Sequence, residues 1–127
     1  MGVRRRIPAE QGRVAIASWR RADATGRAAL PRPAIALAVR YALEELSENA
    51  EGNSVEVRVP PFGVAQCVTG PRHTRGTPPN VIELDAATWL GLATGEIGWA
   101  EALASGSVSA SGLRADLSEH LPLFGTL

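Results

Sequence analysis

Lysine is absent from this 127-residue chain, cysteine occurs once, and histidine twice. Each absence closes a class of function. A lone cysteine, Cys67, excludes an internal disulfide and with it the disulfide-built secreted scaffolds. Two histidines (His73 and His120) and that one cysteine form no His-x-x-x-His or Cys-x-x-Cys pair, so the spacings that build zinc sites are missing and no metal is expected. No Gly-x-Gly-x-x-Gly, P-loop or Gly-x-Ser-x-Gly occurs either, which removes the local signatures of nucleotide cofactors and serine hydrolases. No cofactor is expected. No apolar run approaches the ~20 residues that a membrane-spanning helix needs. The basic start (Arg4, Arg5, Arg6) is followed by Ile7-Pro8-Ala9-Glu10, not by the apolar stretch of a signal peptide. The expectation is a cytoplasmic protein without stable membrane insertion.

What is present is ordinary for a globular protein: 45% hydrophobic and 20% charged residues. The length fits one domain that buries roughly two-thirds of its unfolded surface. The expected division is a basic N-terminal arm, residues 1–7, and a single domain, residues 8–127. Net charge is zero, yet residues 1–40 carry +7 and residues 41–127 carry −7. Two readings of that asymmetry stay open. N-terminal helices pack on a more acidic body, or a basic arm touches an anionic surface. Nucleic acid is not the expected partner, because Phe62, Trp89, Trp99 and Phe124 lie outside the basic segment and Trp19 stands alone within it.

Periodicity gives the elements. Pro8 and Glu10 open a helix to about Ala22, with Ala15, Trp19 and Ala22 on one side. Asp23–Arg32 reads as a loop, broken by Gly26 and Pro31. Pro33 starts a stronger helix to Asn49, its stripe being Ile35, Val39, Ala42, Leu43 and Leu46. Ser54–Val59 alternates strictly and reads as a strand, and Val64–Thr69 as its hairpin partner. A polar loop, 70–80, leads to a short strand at Val81–Leu84. Asp85 is placed to cap a helix over Ala86–Thr94, and Gly95 to end it. A helix at Trp99–Ser105, a strand at Val108–Gly112 and a last helix at Ala115–Leu121 complete the chain. Strands in the middle and helices around them argue α+β: a small, largely antiparallel (mixed) sheet of four to five strands with helices on one face.

Chemistry concentrates in two places. The loop Gly70–Thr77 holds Arg72, His73 and Arg75, whose guanidinium forks suit an anionic head group. The alternative is a solvated loop pairing with Glu83 or Asp85. The C-terminal third is crowded with large apolar groups on short helices, an arrangement that packs a core or leaves a pocket between layers. Cys67, inside a strand, reads as core. No partner that would activate it can be named.

The stretch from Asp85 through Trp89, Gly95, Trp99, Leu103 and Gly106 to Val108 and Gly112 resembles the sterol carrier protein-like superfamily, in its small bacterial single-domain branch. Val59-Pro-Pro-Phe-Gly63 and Gly70-Pro-Arg-His-Thr-Arg-Gly76-Thr-Pro-Pro-Asn80 look like the same branch. The resemblance spans residues 8–124. It implies a five-stranded sheet under helices, a final helix after Asp116, a lipid-accepting tunnel between the layers, and binding without a cofactor or covalent step.

Together these readings make a non-enzymatic binder of a lipid-like or other hydrophobic small molecule the leading expectation. Its wall candidates are Phe62, Val64, Val68, Trp89, Leu92, Trp99, Leu103, Leu117, Leu121 and Phe124. Its head-group candidates are Arg72, His73 and Arg75. A protein-interaction or homodimerisation module with a closed core is the alternative. A small enzyme using His73 or Cys67 is the third.

Overall fold

The computed structural model describes residues 5–70 and 80–125. Three helices come first: α1 (Ala9–Arg21), α2 (Ala24–Ala29) and α3 (Arg32–Asn49). A hairpin of β1 (Val55–Val59) and β2 (Gly63–Cys67) follows, then β3 (Val81–Leu84), α4 (Ala86–Thr94), α5 (Trp99–Ala104) and β4 (Val108–Ser111). Among the described residues the sheet has four strands in the order β2-β1-β3-β4. It is mixed: β1–β2 and β3–β4 are antiparallel and β1–β3 parallel. The fold is a small α+β one.

Alternation in the strands sorts the two faces. Val55, Val57 and Val59 of β1 and Ile82 and Leu84 of β3 are buried, while Arg58, Glu83 and Val64 stay in contact with solvent. Against the buried side pack Val39, Ala42 and Leu46 of α3 and Trp89, Leu90 and Leu92 of α4, all within one hydrophobic core. The Trp89 indole N–H donates to the Val39 carbonyl at 3.2 Å, so even this ring's one polar atom is satisfied inside the core. One edge of the sheet is closed by a helix. Ser47 Oγ of α3 donates to Gln66 O of β2, and Arg40 Nε to Phe62 O.

The caps expected around α4 are present. Asp85 Oδ1 accepts the Thr88 N–H at 2.8 Å, and Gly95 sits in the left-handed region at φ +85°. In α1 the buried positions are Gly12, Ile16 and Trp19, rather than the Ala15–Trp19–Ala22 stripe. Gly12 is needed there, because a Cβ would occupy the space of the Tyr41 ring on α3.

Two segments differ from expectation. Residues 24–29, read as loop, form α2, capped by Asp23, whose Oδ1 accepts the Gly26 N–H at 2.8 Å. Six residues carry too little periodicity to announce a helix. Conversely, the helix expected at 115–121 is irregular, with one turn at 118–120. Asp116 Oδ1 takes the Ser118 N–H at 2.8 Å, a side-chain turn that competes with helix formation. That bond also holds the Asp116 carboxyl below its usual value. The chain then runs back to α4, where the N–H groups of Leu123 and Phe124 both reach Ala93 O.

Candidate ligand groove

A groove of about 690 Å³ opens among α1, α2, the start of α3, α4 and the β1–β2 turn. Its size is that of a site for a small organic ligand. Trp19 comes from α1, Ala24 and Ala28 from α2, Ile35 from α3 and Phe62 from the hairpin turn. The remaining wall is Ala86, Ala87, Leu90 and Gly91 of α4, with Ile97 beyond it. Small side chains on the facing helices leave the space that larger ones would fill. Ile97 reaches the wall because Gly91 has no side chain: a Cβ at Gly91 would strike the Ile97 side chain, whose backbone N–H donates to Gly91 O at 3.1 Å.

The polar lining is Arg27, Thr88 and Glu96. Arg27 is held from several sides. Its guanidinium carbon lies 3.5 Å from the Trp19 ring centroid. Its Nε donates to Trp19 O at 2.8 Å, and Nη2 reaches Glu96 Oε2 at 2.9 Å. One side chain thus satisfies a carbonyl at the end of α1, stacks on an aromatic face and pairs with the α4–α5 connection. Arg27 and Glu96 are the only ionisable side chains lining the groove among the described residues, and each neutralises the other.

Of the residues singled out in the sequence, Phe62 lines this groove. Leu92, Trp99, Leu121 and Phe124 come together around a different hollow of about 520 Å³ under the C-terminal segment. Trp89 and Leu117 are fully buried in the core. Val64 is 60% exposed and borders a separate hollow beside Arg40 and Glu44, and Leu103 is 41% exposed, so neither lines this groove. Val68 lines a polar surface hollow with Glu48, Glu119 and His120. Arg72, His73 and Arg75 lie outside the described residues. Every other residue of the groove was missed by sequence reasoning, among them Trp19, Arg27, Ile35, Leu90, Glu96 and Ile97. Trp19 was visible as the one aromatic of the basic segment, but α2, which brings Arg27 to it, was not.

Burial pushes the Cys67 thiol up to about 12, so it is protonated near neutrality and is no nucleophile there. Among the described residues no cluster of three His, Cys, Asp or Glu side chains is placed to hold a metal ion, and no helix is long and apolar enough to cross a membrane.

A model of the family described as bacterial SCP ortholog matches residues 31–123. The chain belongs to this sterol carrier protein-like family. No curated protein matches it in sequence. The family match takes in α3 through β4 and the turns beyond, hence the sheet, the core apart from Ile16 and Trp19 of α1, and one wall of the groove. The opposite wall, from Trp19, Ala24, Arg27 and Ala28, precedes the matched segment.

Proposed function

We propose that the chain is a non-enzymatic, cytoplasmic carrier of a lipid-like hydrophobic molecule, which it holds in the groove between α2 and α4. The observation that carries this reading is the groove's lining, apolar except for a self-paired Arg27–Glu96 rim and the Thr88 hydroxyl. Membership of a sterol carrier protein-like family supports the ligand class. Affinity comes from removing an apolar chain from water, at about 25 cal/mol per Å² before the costs of ordering. Nothing covalent is asked of the residues in the groove, since neither charged group is left free to move a proton.

The placement differs from a tunnel between sheet and helices. That layer is occupied by Leu46, Val57, Ile82, Trp89 and Leu90, all essentially inaccessible to solvent. The same filled layer favours the second reading, a protein-interaction module with a closed core. Native mass spectrometry of freshly purified protein, with organic extraction of anything bound, separates the two. One acyl or isoprenoid molecule per chain supports the carrier. An empty protein that takes up no lipid from a panel and forms dimers with increasing concentration supports the module.

A further inference from the structure

Phe62 borders two hollows at once. On one side is the apolar groove. On the other is a hollow of about 610 Å³ that also has Arg6, Arg40, Leu43, Glu44, Ser47 and Val64 in its wall. Two arginines of α3 converge on this residue. The Arg32 guanidinium carbon lies 5.3 Å from the Phe62 ring centroid, and Arg40 Nε donates to Phe62 O at 2.7 Å. They stand eight residues apart, about 12 Å along the helix axis.

No carboxylate answers this charge. Every aspartate and glutamate of the chain lies within the described residues, and none forms an ion pair with Arg6, Arg32 or Arg40. Glu44, the one acid in the second hollow, is engaged elsewhere. It accepts the backbone N–H groups of Arg6 and Ile7 at 3.0 and 3.2 Å and faces Arg5 Nε at 3.5 Å. Arg32 and Arg40 are both exposed, and although neither lines the apolar groove, both contact Phe62, which does.

We infer that the ligand of the groove is an anionic amphiphile, its chain in the apolar groove and its carboxylate or phosphate head on Arg32 and Arg40 beside Phe62. The inference rests on the proposed carrier reading and adds the head-group chemistry and its site. Guanidinium groups hold carboxylate and phosphate oxygens by charge-assisted hydrogen bonds, whereas a neutral head offers these donors no more than water does. Arg27 does not offer such a site, since Glu96 already occupies it.

The test is calorimetric titration of the full chain with dodecanoate, dodecyl phosphate and 1-dodecanol, repeated on the double variant Arg32→Gln/Arg40→Gln. Both positions are exposed, and circular dichroism checks that the variant folds. The expected result is tighter binding of the two anions than of the alcohol. In the variant, anion affinity falls about tenfold, as the loss of two partly exposed charge pairs gives, while alcohol affinity is unchanged. Equal binding of anion and alcohol, or no loss in the variant, overturns the head-group site and leaves the carrier reading standing. Failure of all three probes to bind removes the carrier reading and this inference with it. Vesicles of neutral phosphatidylcholine, with and without phosphatidylglycerol, give the last arm. Arginine-dependent binding to the anionic vesicles alone, with dodecanoate affinity unaffected, assigns the arginines to a bilayer surface and overturns the proposal.

Discussion

Arg27 of α2 and Glu96 of the α4–α5 connection meet at 2.9 Å at the rim of the apolar groove, and the same guanidinium is stacked on Trp19. The ion pair itself, partly exposed, is worth at most ~1 kcal/mol. The stacking and the bonds to backbone carbonyls add to it. Arg27→Ala is therefore expected to lower unfolding free energy by about 2 kcal/mol, and urea denaturation measures it. Arg27→Lys should recover only a small part, because an ammonium has neither the planar face nor the fork. Full recovery by lysine would reduce Arg27 to a charge.

Gly12 and Tyr41 make the opposite kind of contact, one that depends on a missing atom. Alanine is normally the better helix residue, by ~1 kcal/mol. At Gly12 the added methyl must displace the Tyr41 ring, which also stacks on Phe124 at 5.8 Å. Overpacking of this sort costs about 1–3 kcal/mol, so Gly12→Ala should destabilise. Combining it with Tyr41→Leu should cost less than the two changes added together, and a double-mutant cycle reads the coupling.

These two contacts show what the sequence discloses and what it withholds. Asp85 and Gly95 act through their own backbone neighbours, so their roles as start and stop of α4 were legible from position alone. The alternation of Val55, Val57 and Val59 likewise fixed β1. The site was less legible. Trp89 and Trp99 drew attention as large apolar groups, yet size is also what fills a core, and both are buried. The groove is made instead by small residues, Ala24, Ala28, Ala86 and Gly91, whose contribution is the volume they leave. That volume depends on α2 lying opposite α4, a tertiary fact with no periodic signal in six residues. Phe62, named among the wall candidates in the sequence, borders the groove from the turn between β1 and β2.

Val68 carries backbone strain at a defined position. It is the one non-glycine residue with positive φ (+67°) among the described residues, and it is β-branched. Three hydrogen bonds hold it there: its N–H to Ala50 O at 2.7 Å, and its carbonyl accepting the Ser54 N–H and hydroxyl. Asparagine tolerates this region, so Val68→Asn should raise stability by about 1 kcal/mol. A loss of stability would mean that the contacts of the half-buried Val68 side chain outweigh its strain.

Cys67 sets a pH dependence whose sign follows from burial. Its folded value, about 12, lies above the ordinary value of 9.0 for an exposed thiol. Above pH 9 the unfolded chain loses this proton while the folded chain keeps it, so the folded state binds more protons and stability falls as pH rises from about 9 towards 12. Denaturation midpoints between pH 8 and pH 10.5 should decline less steeply in Cys67→Ala than in the unmodified chain. A thiol reagent at pH 8 should label Cys67 only after unfolding. Fast labelling of the native protein would show an accessible thiolate and reopen the enzymatic reading.

The location of the ligand is separable from its chemistry, because the groove and the hollow under the C-terminal segment each have an exposed alanine in their walls. Ala28 lines the groove and Ala100 lines the hollow under the C-terminal segment. Enlarging an exposed helical alanine changes stability by no more than ~0.5 kcal/mol, so either substitution fills its hollow without disturbing the core. Ala28→Phe should reduce uptake of a fluorescent acyl probe by tenfold or more, and Ala100→Phe should leave it unchanged. The reverse pattern would move the ligand to Leu92, Trp99, Leu121 and Phe124, the residues whose size first marked them. It would also dissociate the head-group arginines from the site, since Phe62, the residue that Arg32 and Arg40 contact, lines the groove and not that hollow.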